Sequence, residues 1–277
     1  FKDYTDESPL VATRKFFALN DLNSSEFNLS ELLQKEVSNP SKAQINHIFY
    51  IVAESLSEWH FDDEFKDLGL MSELKTLIKE KNAFKAELFL QNASSTIKSL
   101  DVQISGLFQT EIPLNLSVGK NPVFEMSAGY IFKDLGYKTS FFYGGSGTWQ
   151  KIDNYAISQG FDEIKFSTHI IDYVKKNGFK EPYESTWGAF DHHLYEFVKD
   201  YAVKNKDKKS LAVILTTSYH PPYDVPLKQF DIDYKKIDKF IDTRSKIRYD
   251  KATMRKIFAH IIYQNKIIAD FVKKARQ

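Results

Sequence analysis

The sequence predicts an α/β fold, a mainly parallel sheet flanked by helices on both faces. Short apolar runs of strand length recur along the chain, and segments of helical periodicity stand between them. The 277 residues are 42% hydrophobic and 15% aromatic, enough to bury a substantial core as one large domain or two small ones.

The elements come in the following order. Residues 1–45 are polar and read as a lead-in, with "NDLNSSEFNLSELLQKE" offering a cap before a short helix; residues 46–277 read as the folded domain. Strands are expected at Ile48–Ala53, Ala86–Leu90, Thr139–Tyr143, Ile164–Ser167 and Leu211–Leu215. Helices are expected at Met71–Lys81, Thr96–Leu107, Lys151–Gln159, Asp191–Lys204 and Ala252–Lys274. The charged stretch "DVPLKQFDIDYKKIDKFIDTRSKIRYDK" has sparse apolar residues and reads as an excursion across the surface.

Composition removes several function classes. Lys and Arg number 38 against 37 Asp and Glu, and no basic stripe is interleaved with stacking aromatics, so nucleic acid is not an expected partner. The absence of cysteine excludes thiolate metal sites, cysteine nucleophiles and disulfides. No apolar run approaches the roughly 20 residues of a bilayer span. The first residue is not Met and the last lie inside a helical pattern, so both ends read as cuts in a longer polypeptide.

The chemistry-bearing residues lie past strand ends, where ligands bind in open α/β sheets. In "HIFYIVAESLSEW" the apolar run meets Glu54, which is either a ligand-site carboxylate or the N-cap of a helix starting after it. In "NASSTIKSLDVQISGL", Ile97, Leu100, Ile104 and Leu107 form one helical face and Ser94 or Ser95 is a natural cap. Thr96 then sits in the first turn. Backbone N–H groups and the helix dipole there would stabilise a phosphate-attacking hydroxyl, while the plainer alternative is that Thr96 shares the capping. A hydroxyl needs a base or a metal to become nucleophilic, and Glu54 is the nearest plausible metal carboxylate.

His220 lies beyond the last strand in "LAVILTTSYHPPYDVP", and the two prolines after it stiffen its loop. It is either a solvated loop histidine or a third group on the same sheet edge. The glycine-rich "FFYGGSGTWQK" could cradle a phosphate, yet it lacks the ending of a P-loop and the spacing of a dinucleotide fingerprint. "WGAFDHHLYEF" holds Asp191, His192 and His193. Adjacent histidines on a helix diverge by roughly 100°, so the favoured reading is Asp191 as the cap of the helix it opens and not a metal site.

Taken in order, "FYIVAESLS", "SSTIKSLDVQISGL", "FFYGGSGTW", "ISQGFDEI", "WGAFDHHLYEF" and "TTSYHPPYD" resemble the catalytic domain of the lipoteichoic acid synthase and sulfatase-like branch of the alkaline phosphatase superfamily. The resemblance implies that Glu54 and Thr96 bind a divalent metal, with Mn²⁺ the first choice and Zn²⁺ or Mg²⁺ the others, and that Thr96 is the catalytic nucleophile. It implies that His220 contacts substrate and that Trp149 and Lys151 occupy a phosphoglycerol pocket. Lys151 stands where the family has Arg, keeping charge but losing bidentate phosphate geometry.

The implied function is a metal-dependent phosphotransferase that moves a phosphoglycerol or related headgroup from a phospholipid-derived donor to a glycan or polymer acceptor through a phospho-threonine. The alternatives are a phosphodiesterase or phosphatase on the same scaffold, or a non-catalytic binding domain. The implied location is extracytoplasmic, periplasmic or on the outer face of a bacterial cytoplasmic membrane, with the anchor in segments outside this chain. The family completes its metal site with an Asp-His pair after a strand beyond the last helix, so the domain is expected to be incomplete at its C-terminus and inactive as a fragment. No Cys/Ser-x-Pro-x-Arg motif is present, which disfavours sulfate ester hydrolysis through a formylglycine.

Overall fold

The computed structural model describes residues 44–86, 89–91, 93–107, 113–117, 123–244 and 248–276. The expected lead-in, apart from Gln44 and Ile45, lies outside the described residues. Four parallel strands, β1 (His47–Val52), β2 (Lys138–Tyr143), β3 (Glu163–Lys165) and β6 (Ser210–Leu215), form a sheet of order β1-β6-β2-β3. Strands β4 (Glu184–Ser185) and β5 (Gly188–Ala189) make a small antiparallel hairpin. Register is continuous across the centre, with Val52 and Tyr143 both opposite Leu215. The carboxyl ends of β1, β6 and β2 are therefore level.

Eight α-helices stand among the described residues: α1 (Ser72–Leu77), α2 (Thr96–Ser105), α3 (Ala128–Asp134), α4 (Ile152–Ser158), α5 (Ser167–Lys176), α6 (Asp191–Lys204), α7 (Tyr234–Asp242) and α8 (Lys251–Ala275). Alternation along the strands divides the core into two. Phe142, Ala212 and Ile214 face α5, α6, α7 and α8 through Ile170, Leu194, Ile237 and Tyr263. Phe141, Leu211, Val213 and Leu215 face α2 and α4 through Leu100, Ile104, Ile152 and Tyr155. The parallel sheet with helices on both faces is the expected architecture, and β6 is buried along its whole length because both its faces and both its edges are covered.

Some expectations are corrected. Ala86, Phe89 and Leu90 form no strand, and Phe89 and Leu90 are exposed; Glu87 and Leu88 lie outside the described residues. An apolar run becomes a strand only where a neighbour completes its ladder, and none does so here among the described residues. The charged stretch after Asp224 is not a surface excursion throughout: it contains α7, whose Ile237 and Ile241 are buried one turn apart, with Val225 and Leu227 buried before it. The strand expected to end at Ser167 stops at Lys165, and Ser167 begins α5.

Candidate active site

Glu54 sits two residues past β1, and two hydrogen bonds hold its backbone. Its N–H donates to Thr216 Oγ1 at 2.8 Å, immediately past β6. Its carbonyl accepts from Gln264 Nε2 of α8 at 2.9 Å. Ser55 turns the chain with φ 55 and donates from Oγ to Glu54 Oε1 at 2.9 Å. The side chain is half-buried and aimed at α2, where Thr96 Oγ1 donates to Glu54 Oε2 at 3.2 Å. Thr96 is the first residue of α2 and Ser95 is its N-cap, so the hydroxyl lies among the unpaired N–H groups of the first turn. The two residues are 42 apart in the chain. Packing of α2 against the sheet through Leu100 and Ile104 brings them together.

Asp191 is completely buried beside this pair. Its Oδ1 accepts from Thr217 N at 2.9 Å and its Oδ2 from Ser218 N at 3.0 Å, while its own N–H donates to Ser218 Oγ at 2.9 Å. The expectation that Asp191 caps α6 is thereby corrected: it occupies the first turn, Phe190 is the N-cap, and the carboxylate is spent on the loop after β6. Burial raises its pKa to about 6 against the lowering effect of those hydrogen bonds, and the charge of Glu54 adds to the rise. Burial also raises the Tyr143 hydroxyl, again with a contribution from Glu54. His192 is held through Nδ1 by Tyr263 Oη at 2.9 Å, and burial pushes it down to about 3.

The remaining predicted residues stand on neighbouring strand ends. His220 lies past β6 and packs against Trp187 of the hairpin, with ring centroids 3.9 Å apart and the planes tilted by 51°. Trp149 is half-buried, 5.8 Å from the Tyr143 ring, and packs against the core cluster over α2 and α4. Lys151 is exposed, and both it and Gln150 adopt left-handed conformations with φ 55 and 52. Asn115, buried at 2% exposure, steadies that turn by donating from Nδ2 to Gln150 O at 2.6 Å. No hydrogen bond or ring contact joins His220, Trp149 or Lys151 to Glu54 or Thr96 among the described residues.

Sequence reasoning missed Thr216, Gln264 and the stapling role of Asp191. The run of hydroxyls in "TTS" directly after β6 was the available signal. For a metal, Glu54 and Thr96 offer one carboxylate and one hydroxyl oxygen, donors that suit a hard or borderline divalent cation. No group of three or more His, Cys, Asp or Glu gathers at a metal-holding distance among the described residues. Asp191 and His192 are committed elsewhere. The pair thus fits such an ion as a partial ligand set.

A parallel sheet covered on both faces, with a strand-end carboxylate hydrogen-bonded to a helix-start threonine, defines an α/β fold with a polar site at the carboxyl edge of its sheet. The chain belongs to the Sulfatase family, which it matches over residues 46–277. Similar solved structures include an alkaline phosphatase superfamily protein from Vibrio parahaemolyticus, with TM-score 0.63, 19% identity, and coverage of 85% of this chain and 52% of that one. The lipoteichoic acid synthase LtaP from Listeria monocytogenes has TM-score 0.61, 16% identity, and coverage of 83% and 52%. The Streptococcus pyogenes phosphoglycerol transferase GacH in complex with sn-glycerol-1-phosphate has TM-score 0.51, 11% identity, and coverage of 83% and 57%. The chain spans a little over half the length of these structures. No curated protein matches it in sequence.

Proposed function

We propose that this domain serves a metal-dependent phosphotransferase that moves a phosphoglycerol or related headgroup from a lipid to a glycan or polymer acceptor. The observation that carries the reading is the 3.2 Å hydrogen bond from Thr96 Oγ1 to Glu54 Oε2 at the first turn of α2. Family membership and the likeness to a lipoteichoic acid synthase and a phosphoglycerol transferase support it.

Thr96 Oγ attacks the phosphorus of the donor headgroup. The Oγ–P bond forms, the P–O bond to the lipid breaks, and the lipid alcohol leaves with the proton that Thr96 gives up. An acceptor hydroxyl then attacks the same phosphorus, its oxygen replaces Oγ, and Thr96 recovers a proton. A divalent cation bound at Glu54 and Thr96 supplies charge neutralisation and a lower hydroxyl pKa. Lys151 offsets the charge on the phosphoryl oxygens, His220 borders the substrate, and Trp149 packs against the glycerol moiety. The N-terminal dipole of α2 favours the negative charge that gathers there.

The parent protein faces outward from a bacterial cytoplasmic membrane. No helix among the described residues is long and apolar enough to cross a membrane. The test is a trapping experiment on the complete protein: a phosphoglycerol-headed lipid and Mn²⁺ are added without acceptor, and the Thr96 peptide is weighed by mass spectrometry. A phosphoglycerol adduct on Thr96 is expected, and turnover without any adduct at Thr96 overturns the covalent route. Product analysis with and without an alcohol acceptor separates a transferase from a hydrolase.

A further inference from the structure

The hairpin formed by β4 and β5 carries Trp187 at its tip, and hydrogen bonds hold that tip from both sides. Trp187 Nε1 donates to the Pro221 carbonyl at 2.5 Å, and His220 Nδ1 lies 3.0 Å from the same oxygen. A carbonyl only accepts, so Nδ1 carries the proton, and in neutral His220 the lone pair is on Nε2. One oxygen thus clamps both rings, whose centroids are 3.9 Å apart. Asp224 Oδ2 secures the other side of the tip by accepting from Thr186 N at 2.9 Å and Thr186 Oγ1 at 2.6 Å.

The hairpin is also seated on the sheet. Ala189 N donates to Gly144 O at 2.8 Å, directly past β2. A Cβ on Gly188 would stand 2.2 Å from that oxygen, so only glycine permits the approach. β6 lies between β1 and β2. At about 4.8 Å per strand, the hairpin's seat is therefore roughly 10 Å from the end of β1, where Glu54 stands. An acceptor must bring its hydroxyl to a phosphoryl group on Thr96 from a distance of this order.

The geometry points to Trp187 as the stacking platform for a pyranose ring of the acceptor, an inference that rests on the transferase reading above. Trp187 is 37% exposed and its indole N–H is already satisfied, so the part of the ring that meets solvent is apolar. Around it stand His220 Nε2 and the Asp224 carboxylate. A sugar ring has C–H groups on one face and hydroxyls at its rim, which matches an apolar plate fringed by hydrogen-bonding groups. Because the clamp holds the plate in place beforehand, binding costs little side-chain ordering. A plain lipid headgroup lacks a ring to lie on it.

The test uses the indole N–H resonances of the 277-residue chain, which has three tryptophans. Trp187→Phe assigns the Trp187 signal. Titration with maltotriose and with an N-acetylglucosamine trisaccharide should shift that signal saturably and leave Trp59 unmoved. Trp187→Ala should weaken the better trisaccharide about ten-fold by calorimetry, the scale of losing one central aromatic anchor. No Trp187 shift with either sugar, or undiminished affinity in Trp187→Ala, overturns the proposal. sn-Glycerol phosphate is titrated separately and should move Trp149; failure there counts against the phosphoglycerol reading and leaves the sugar result to be judged by itself.

Discussion

Asp191 and Ser218 hold each other by two reciprocal hydrogen bonds, Asp191 N to Ser218 Oγ at 2.9 Å and Ser218 N to Asp191 Oδ2 at 3.0 Å. This staple fixes the loop after β6 to the start of α6 and sets the direction in which His220 leaves the sheet. Asp191→Ala would leave the Thr217 and Ser218 N–H groups buried without an acceptor, a loss of about 3 kcal/mol. Asp191→Asn keeps one acceptor oxygen and should fall between. Denaturant unfolding midpoints measure both, and an Ala variant as stable as the parent would show that the loop is held by other contacts.

Thr96→Ala in the complete protein should abolish turnover while lowering stability by only about 1 kcal/mol, the scale of its one hydrogen bond to Glu54. Thr96→Ser keeps the hydroxyl and should keep part of the rate. Steady-state kinetics beside a melting curve separates the two effects.

Lys151→Ala should weaken sn-glycerol phosphate binding and flatten its dependence on salt, because an exposed ammonium acts on the anion through a screened field. Its stability should change by less than about 0.5 kcal/mol, as for other surface positions. Asn115→Ala reaches the same turn from below. It frees the Gln150 carbonyl and should weaken the same ligand while also costing about 1 kcal/mol of stability. Calorimetric titrations at low and high salt give both answers.

Acid should destabilise the fold through its buried histidines. Burial pushes His192 down to about 3 and His193 and His60 down to about 4, from an ordinary 6.5. The unfolded chain takes up protons below pH 6.5 that the folded chain refuses until about pH 4, so this stabilisation is complete above 6.5 and is lost as pH falls to 4. Asp191 and Asp101 are raised by burial to about 6 from 3.8 and act with the opposite sign, losing stability as pH rises between those values. Three imidazoles with wider shifts outweigh two carboxyls, so unfolding midpoints should fall from pH 7 to pH 4.5. His193→Phe, placed between the Phe179 and Phe190 rings, should flatten that slope. An unchanged slope would assign the acid sensitivity to other groups.

The layered α/β plan was legible in the chain itself, since β1, β2, β6 and α8 are written in runs whose period and length suit one kind of element each. So were the placements of Glu54 past a strand and Thr96 at a helix start, because both come from local rules about where strands stop and helices begin, whereas a chemical role for either was implied by the family resemblance alone. The features that were not legible depend on partners distant in the chain. Ala86–Leu90 has the composition of a strand, but a ladder needs a neighbour, and composition does not supply one. Asp191 has the look of a helix cap, yet Thr217 and Ser218, 26 and 27 residues further on, claim both its oxygens. Ile237 and Ile241 are only two apolar residues in a charged stretch, and α8 turns them into core. Folding of the whole chain was needed to bring Thr96 and Glu54 to 3.2 Å and to set Trp187 and His220 on one carbonyl. Hydrogen bonds and desolvation act over a few ångströms, and only packing of the whole sheet brings such groups within that range.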